Sequence, residues 1–158
     1  GHPARVQAIQ DICKPYNILV IEDSAESLGS FVSGIHTGRI GQIGILSFNG
    51  NKIITTGGGG ALITDDEELA RCAKHLTTTA KQPHPWLFLH DEVGYNYRLP
   101  NINAALGCGQ MDKLSRYVKQ KRKLAMLYSK WFEERDQFKN CFSHWQRHYD
   151  VRLRYRRY

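Results

Sequence analysis

Residues 17–22 limit what this chain can fold into more than any other stretch. They hold the run Ile18-Leu19-Val20-Ile21, aliphatic on what would be both faces of a strand. A strand with one wet face alternates apolar and polar side chains. One that does not alternate belongs to a parallel sheet covered by helices on both sides. The run is far too short to cross a bilayer. At its carboxyl end stand Glu22, Asp23 and, three residues on, Glu26. Ligands bind at the carboxyl ends of strands in open α/β sheets. Taken alone, Asp23 reads as a helix N-cap.

The flanking pattern fits the same class. Val6, Ile9, Ile12 and Cys13 recur at helical spacing, and Pro15 ends that helix. Residues 43–48 form a second apolar strand and residues 61–64 a third. The acidic run Asp65-Asp66-Glu67-Glu68 opens a helix, where negative charge complements the macrodipole. Its buried stripe is Leu69, Cys72, Ala73 and Leu76, and it reads as purely structural. A long irregular connection, residues 77–100, is kept in order by Trp86, Phe88, Tyr95 and Tyr97. His84 and His90 on it are expected to be surface or hydrogen-bonded histidines. Helix resumes from Pro100 to Met111. A longer helix follows, with Leu114, Tyr117, Val118, Leu124, Leu127, Tyr128, Trp131 and Phe132 on one face and a solvated basic face opposite.

Beyond the second strand lies Ser47-Phe48-Asn49-Gly50-Asn51-Lys52, closely followed by four consecutive glycines, Gly57 to Gly60. Glycines in a row sacrifice backbone entropy and packing, which suits a tight turn or a close backbone approach. A lysine amine there is placed for an anion, a carbonyl compound or a cofactor. In isolation the stretch reads as a surface lysine in a glycine-rich hairpin.

The 158 residues, 41% hydrophobic and 23% charged, suffice for a globular domain with a core of ordinary size. No secretion signal is read at the start. Cys13, Cys72, Cys108 and Cys141 are scattered without a CxxC pair. Neither a metal site nor a disulfide scaffold is expected, and four reduced thiols fit a cytoplasmic location. The net charge is +7, of which residues 147–158 contribute +4. A nucleic-acid surface at that end is one reading; a local peculiarity of the end of the chain is the favoured one.

Several chemistries are excluded by missing motifs. The glycine run lacks the GK[ST] ending of a P-loop, and no GxGxxG, HExxH or GxSxG occurs. An aspartate at one strand end and a lysine beyond the next remain, with a serine between. Those groups suit pyridoxal phosphate: an amine for its aldehyde, a carboxylate for its ring nitrogen, a hydroxyl for its phosphate.

Three segments then carry a specific resemblance. Val20-Ile21-Glu22-Asp23-Ser24-Ala25-Glu26-Ser27-Leu28-Gly29, Leu46-Ser47-Phe48-Asn49-Gly50-Asn51-Lys52 and Gly94-Tyr95-Asn96-Tyr97-Arg98-Leu99-Pro100-Asn101 resemble successive motifs of the DegT/DnrJ/StrS sugar aminotransferases. The likeness runs in order from about Gly1 to about Trp131. It implies a three-layer α/β/α PLP-dependent transferase fold (aspartate aminotransferase-like, fold type I) with an incomplete major domain. Residues 1–112 correspond to the C-terminal portion of that domain, and residues 113–158 to a helix entering a truncated small domain with an unrecognised basic end.

The resemblance also implies function. The cofactor is pyridoxal 5'-phosphate, with Lys52 as the Schiff-base lysine and Asp23 as partner of the pyridine nitrogen. Ser47 matches a phosphate ligand, and Asn96 the phosphate contact supplied by the neighbouring subunit of a homodimer with shared active sites. Glu26 stands where many members have Gln or His near the ring hydroxyl, and a carboxylate there would repel a phenolate unless one of them holds a proton. Members that dehydrate carry histidine in place of the lysine, so Lys52 favours amino transfer. The implied substrates are glutamate and a nucleotide-linked keto sugar of cell-surface glycan or amino-sugar biosynthesis. Residues 77–97 are most similar to members acting on UDP-linked 4-keto-6-deoxy amino sugars. Two other readings stay open at this level: a non-catalytic remnant, and a basic module that binds anions through its arginine-rich end.

Overall fold

A computed structural model of the chain describes residues 3–135; the basic end, residues 147–158, lies outside them. Among the described residues the chain divides into two units, Pro3–Leu114 and residues 115–135.

The first unit opens with helix α1, Val6–Cys13, followed by a 3-10 turn over Lys14–Tyr16. Pro15 sits in that turn, and Asn17 leaves it in the left-handed region at φ 52°. The chain then enters β1, Ile21–Asp23. After a small hairpin, β2 (Phe31–Val32) and β3 (Ile35–His36), comes β4, Ile43–Ser47. β5, Gly60–Ile63, completes a sheet of order β1-β4-β5. β1 runs parallel to β4, with Asp23 opposite Ile45, and β5 runs antiparallel to β4, with Ser47 opposite Gly60. The parallel crossover is thus made by a hairpin-bearing loop, where a helix is usual.

Two expectations about the first strand are corrected. It is shorter than residues 17–22, and it is covered on one side only. Glu22 and Ser24 are buried on one side, whereas Leu19 and Ile21 on the other are 61% and 59% exposed; Ile18, which precedes the strand, is 57% exposed. β1 is an edge of this sheet with a strand neighbour on one side, so nothing forces its second apolar row out of water. The core is correspondingly thinner than the composition suggests. Among the described residues the buried hydrophobic side chains are Leu46, Ile54 and Ala80.

Helix α2, Glu67–Thr77, begins two residues into its acidic run: Asp66 is the N-cap, its Oδ1 accepting from the amides of Glu68 (2.8 Å) and Leu69 (3.0 Å). Such a cap contributes about 1 kcal/mol. Of the expected stripe, Leu69, Ala73 and Leu76 are half-buried and Cys72 is exposed. Residues 77–100 are ordered by backbone pairing, Thr78 with Asn96 and Lys81 with His90, and α3 follows as Asn101–Met111.

The second unit begins within α4, Leu114–Glu133. Near its end Trp131 and Phe132 meet edge to face at 5.0 Å, and the Arg135 guanidinium lies 3.6 Å from the Trp131 ring centre. Among the described residues no helix is long and apolar enough to cross a membrane.

Candidate active site

The site is assembled where β1 and β4 end. β1 and β4 are parallel neighbours, so their carboxyl ends reach the same rim of the sheet. There the chain leaves β1 through Asp23 and Ser24. The Ser24 amide donates to the Ile45 carbonyl (2.9 Å), which extends the ladder past the strand. Asp23 caps no helix: its Oδ1 accepts from the amide of Ala25 (3.2 Å), closing a tight turn. That turn delivers Glu26 to the rim, and Asp23 itself remains exposed.

Lys52 arrives from the other strand. The β4–β5 connection is a glycine-rich hairpin, as the local sequence suggests, but Lys52 is not a surface lysine. Its side chain is only 13% exposed and its Nζ is paired with Glu26 Oε1. The carboxylate at residue 26 thus meets the Lys52 amine, across 26 residues of sequence.

The loop that carries Lys52 is held at several points. The amides of Phe48 and Thr56 close it, donating to the Gly59 and Phe48 carbonyls at 2.9 Å each. Gly59 adopts φ +83°, a conformation that strains residues with a Cβ. Behind Lys52, Ile54 and Thr56 are almost wholly buried. Two α3 side chains reach the same segment. Gln110 donates to the Thr55 carbonyl (2.9 Å) and accepts from the Thr55 amide (3.0 Å), while Asn103 donates to the Thr56 carbonyl. Sequence reasoning missed both. The signal was weak: two polar side chains seven residues apart, two helical turns, on one helix face.

Ser47 ends β4, its Oγ accepting from the Asn49 amide (3.4 Å). Asn96 lies on a different segment, in a strip running antiparallel to the end of α2. The amides of Tyr95 and Tyr97 donate to the Leu76 and Thr77 carbonyls (2.7 and 2.9 Å), and Asn96 is exposed between them. The structure therefore joins Lys52 and Glu26 directly, sets Asp23 and Ser47 on adjacent strand ends, and places Asn96 outside that group. A hollow lined by Ile45, Leu62, Leu69, Ala73 and Leu99 opens against the sheet, but none of the five candidate residues lines it.

The histidines of the long connection have structural partners, as expected. His84 Nδ1 accepts from the Trp86 and Leu87 amides (3.1 and 2.9 Å), and His90 Nδ1 lies 2.6 Å from the Thr79 carbonyl. α2 does more than was expected of it. His75 Nε2 lies 2.7 Å from Asp91 Oδ1, tying the connection back to the helix. The Gln82 amide (3.1 Å from Asp91) and then His75 hold the Asp91 carboxyl below its usual range.

The profile of the DegT/DnrJ/EryC1/StrS aminotransferase family matches residues 1–155, further than the motifs alone extend. EpsN of Bacillus subtilis (strain 168) is 43% identical over 128 residues, covering 81% of this chain and 33% of that protein. GDP-perosamine synthase of Escherichia coli O157:H7 is 40% identical over 130 residues, covering 82% and 35%. Among solved structures, Helicobacter pylori PseC, an aminotransferase involved in the biosynthesis of pseudoaminic acid, superposes with a TM-score of 0.80 at 27% identity, over 85% of this chain and 36% of that one. The chain thus spans about a third of the length of the curated relatives it matches.

Proposed function

The chain belongs to the DegT/DnrJ/EryC1/StrS aminotransferase family, and from that premise we propose that it is part of an enzyme that moves an amino group from glutamate to a nucleotide-linked keto sugar. The family depends on pyridoxal phosphate. The observation that carries the reading for this chain is the Lys52–Glu26 pair. A largely sheltered lysine amine is held by a carboxylate at the rim where Asp23 and Ser47 also end.

The donor set fits the cofactor. It offers one amine, one open carboxylate and one hydroxyl, from two chain segments that reach the same rim of the sheet. Lys52 would hold the aldehyde carbon, Asp23 the ring nitrogen and Ser47 the phosphate. When bound, the cofactor supplies an electron sink for carbanion chemistry. The protein's share is positional and protonic. Asp23 would keep a proton on the ring nitrogen, and Lys52 would take the proton from the amino-bearing carbon of the donor and return it at the cofactor's aldehyde carbon. Glu26 holds the amine in its resting place and yields it when the aldehyde enters. Asn96, outside the cluster, is assigned to the phosphate of a neighbouring subunit in a homodimer.

The sugar's identity is read more coarsely. Residues 77–97 favour a UDP-linked 4-keto-6-deoxy amino sugar within cell-surface glycan synthesis, in the cytoplasm. The test is optical and chemical. The full-length protein should develop a visible absorbance band with pyridoxal phosphate and lose it on borohydride treatment. Added glutamate should bleach the band, and a nucleotide-linked keto sugar should restore it. No band, or a band indifferent to glutamate, refutes the reading.

A further inference from the structure

Glu22 is a buried carboxylate next to the candidate site that the chemistry above leaves without a task. It is 7% exposed and lies on the face of β1 opposite Asp23, because neighbouring residues of a strand point to opposite sides. Asp23 is exposed on one side of β1, while Glu22 and Ser24 are buried on the other. Glu22 spends both oxygens on backbone. Oε1 accepts from the amides of Ile40 (2.7 Å) and Gly41 (2.6 Å), and Oε2 from that of Gly38 (2.9 Å).

The segment so gripped leads into β4. It lies against β1 so closely that a Cβ on Gly41 would stand 2.6 Å from the Val20 carbonyl oxygen. The grip continues on both sides of Asp23. Gln42 donates its amide to the Val20 carbonyl (2.9 Å) and takes the Val20 amide on Oε1 (2.7 Å). On the far side, the Ser24 amide reaches Ile45. Asp23 therefore sits on the one open face of a strand end whose other face is fastened.

We propose that Glu22 is a positioning residue for Asp23: its carboxylate clamps the segment from Gly38 to Gly41 under β1 and so fixes the direction in which the Asp23 carboxylate leaves the strand. The inference rests on the role assigned to Asp23 above. An amide in place of the carboxylate keeps only one oxygen acceptor, and its NH2 group must confront a backbone N–H inside a buried site. One or more amides then lose their partner, and the strand end gains freedom. Misplacing a catalytic group by a fraction of an ångström to an ångström is enough to slow chemistry markedly.

The test compares Glu22→Gln, Asp23→Asn and the double variant in the full-length cofactor-loaded protein, with amide hydrogen exchange as a readout independent of turnover. In the wild type the amides of Gly38, Ile40 and Gly41 should exchange slowly, and in Glu22→Gln roughly tenfold faster. Cofactor should still bind, while the half-reaction with glutamate slows on the order of tenfold to a hundredfold. In the Asp23→Asn background the same change should cost almost nothing further, since the group it aims is already disabled. If Glu22→Gln does not fold, Glu22→Asp, one methylene shorter, takes its place in the same comparison.

Fast exchange at the three amides in the wild type overturns the proposal. So does an unchanged half-reaction rate, or an equal loss in both backgrounds, which would mark Glu22 as structural only. Near-normal turnover in Asp23→Asn alone would instead show that the assignment of Asp23 had failed, and the single variant isolates that outcome.

Discussion

Gln110 holds Thr55 by both of its backbone hydrogen-bonding groups, across 55 residues of sequence. A side-chain amide is the right shape for this, since it carries a donor and an acceptor side by side. Gln110→Leu should leave the Thr55 amide and carbonyl without that partner and destabilise the fold by about 1–3 kcal/mol. Denaturant unfolding measures the loss. Because Thr55 lies three residues from Lys52, cofactor capture should slow as well. An unchanged unfolding midpoint would show that the clamp is ornamental.

Lys52→Ala should abolish the borohydride-stable attachment of pyridoxal phosphate. Lys52→Arg should fail equally, because a guanidinium stays protonated and is a poor nucleophile. Peptide mapping of the reduced protein should find the label on the peptide containing Lys52. A label on any other peptide refutes the assignment.

Asp23→Asn keeps the shape of the side chain and removes its charge. Cofactor should still bind, while the half-reaction with glutamate slows by roughly 10²–10³-fold, the scale of losing one preorganised electrostatic partner. Stopped-flow absorbance separates binding from chemistry.

Asn96→Ala and Lys52→Ala, each inactive alone, should partly restore one another when mixed and allowed to exchange subunits. In a heterodimer one site would hold both Lys52 and Asn96, and the other site neither. Activity that stays at the level of the separate variants would show that Asn96 serves its own subunit or none.

The Asp91 carboxyl, held below its usual range by Gln82 and then His75, makes the long connection acid-sensitive. A carboxylate whose folded pKa lies below its unfolded one stabilises the fold above the unfolded value, and that contribution disappears as pH falls through the folded one. Exchange of the Gln82 and Asp91 amides, which donate to Leu89 and Ala80, should therefore accelerate at the acid end of the carboxylate range. In Asp91→Asn the step should vanish, because no charge remains to lose.

Much of the rim was legible because its residues lie close to unmistakable strand ends. Asp23 and Glu26 follow an aliphatic run, Ser47 ends another, and Lys52 follows shortly after. What escaped notice depends on long-range pairing. Nothing local to Gln110 or Asn103 says that they reach the segment after Lys52, because a polar side chain on a helix reads as solvated unless its partner is known. Glu22 was readable in principle. The period of two along a strand puts it opposite Asp23, yet an acidic residue beside a site is easily grouped with that site. The exposed Leu19 and Ile21 show the converse failure: periodicity tells which faces are apolar, and says nothing of whether the described sheet covers them.

The back-to-back placement of Glu22 and Asp23 bears on which genetic changes this segment can survive. Many of its positions can trade one aliphatic for another with the pattern kept. An insertion or deletion of a single codon in residues 18–22 is a different event. It leaves composition and hydrophobicity nearly intact, but it turns every following side chain to the other face. The anchor would then look into the site and the acid into the backing. Across descendants of this gene, substitutions should therefore accumulate here while gaps do not, as though the strand carried a reading frame of its own.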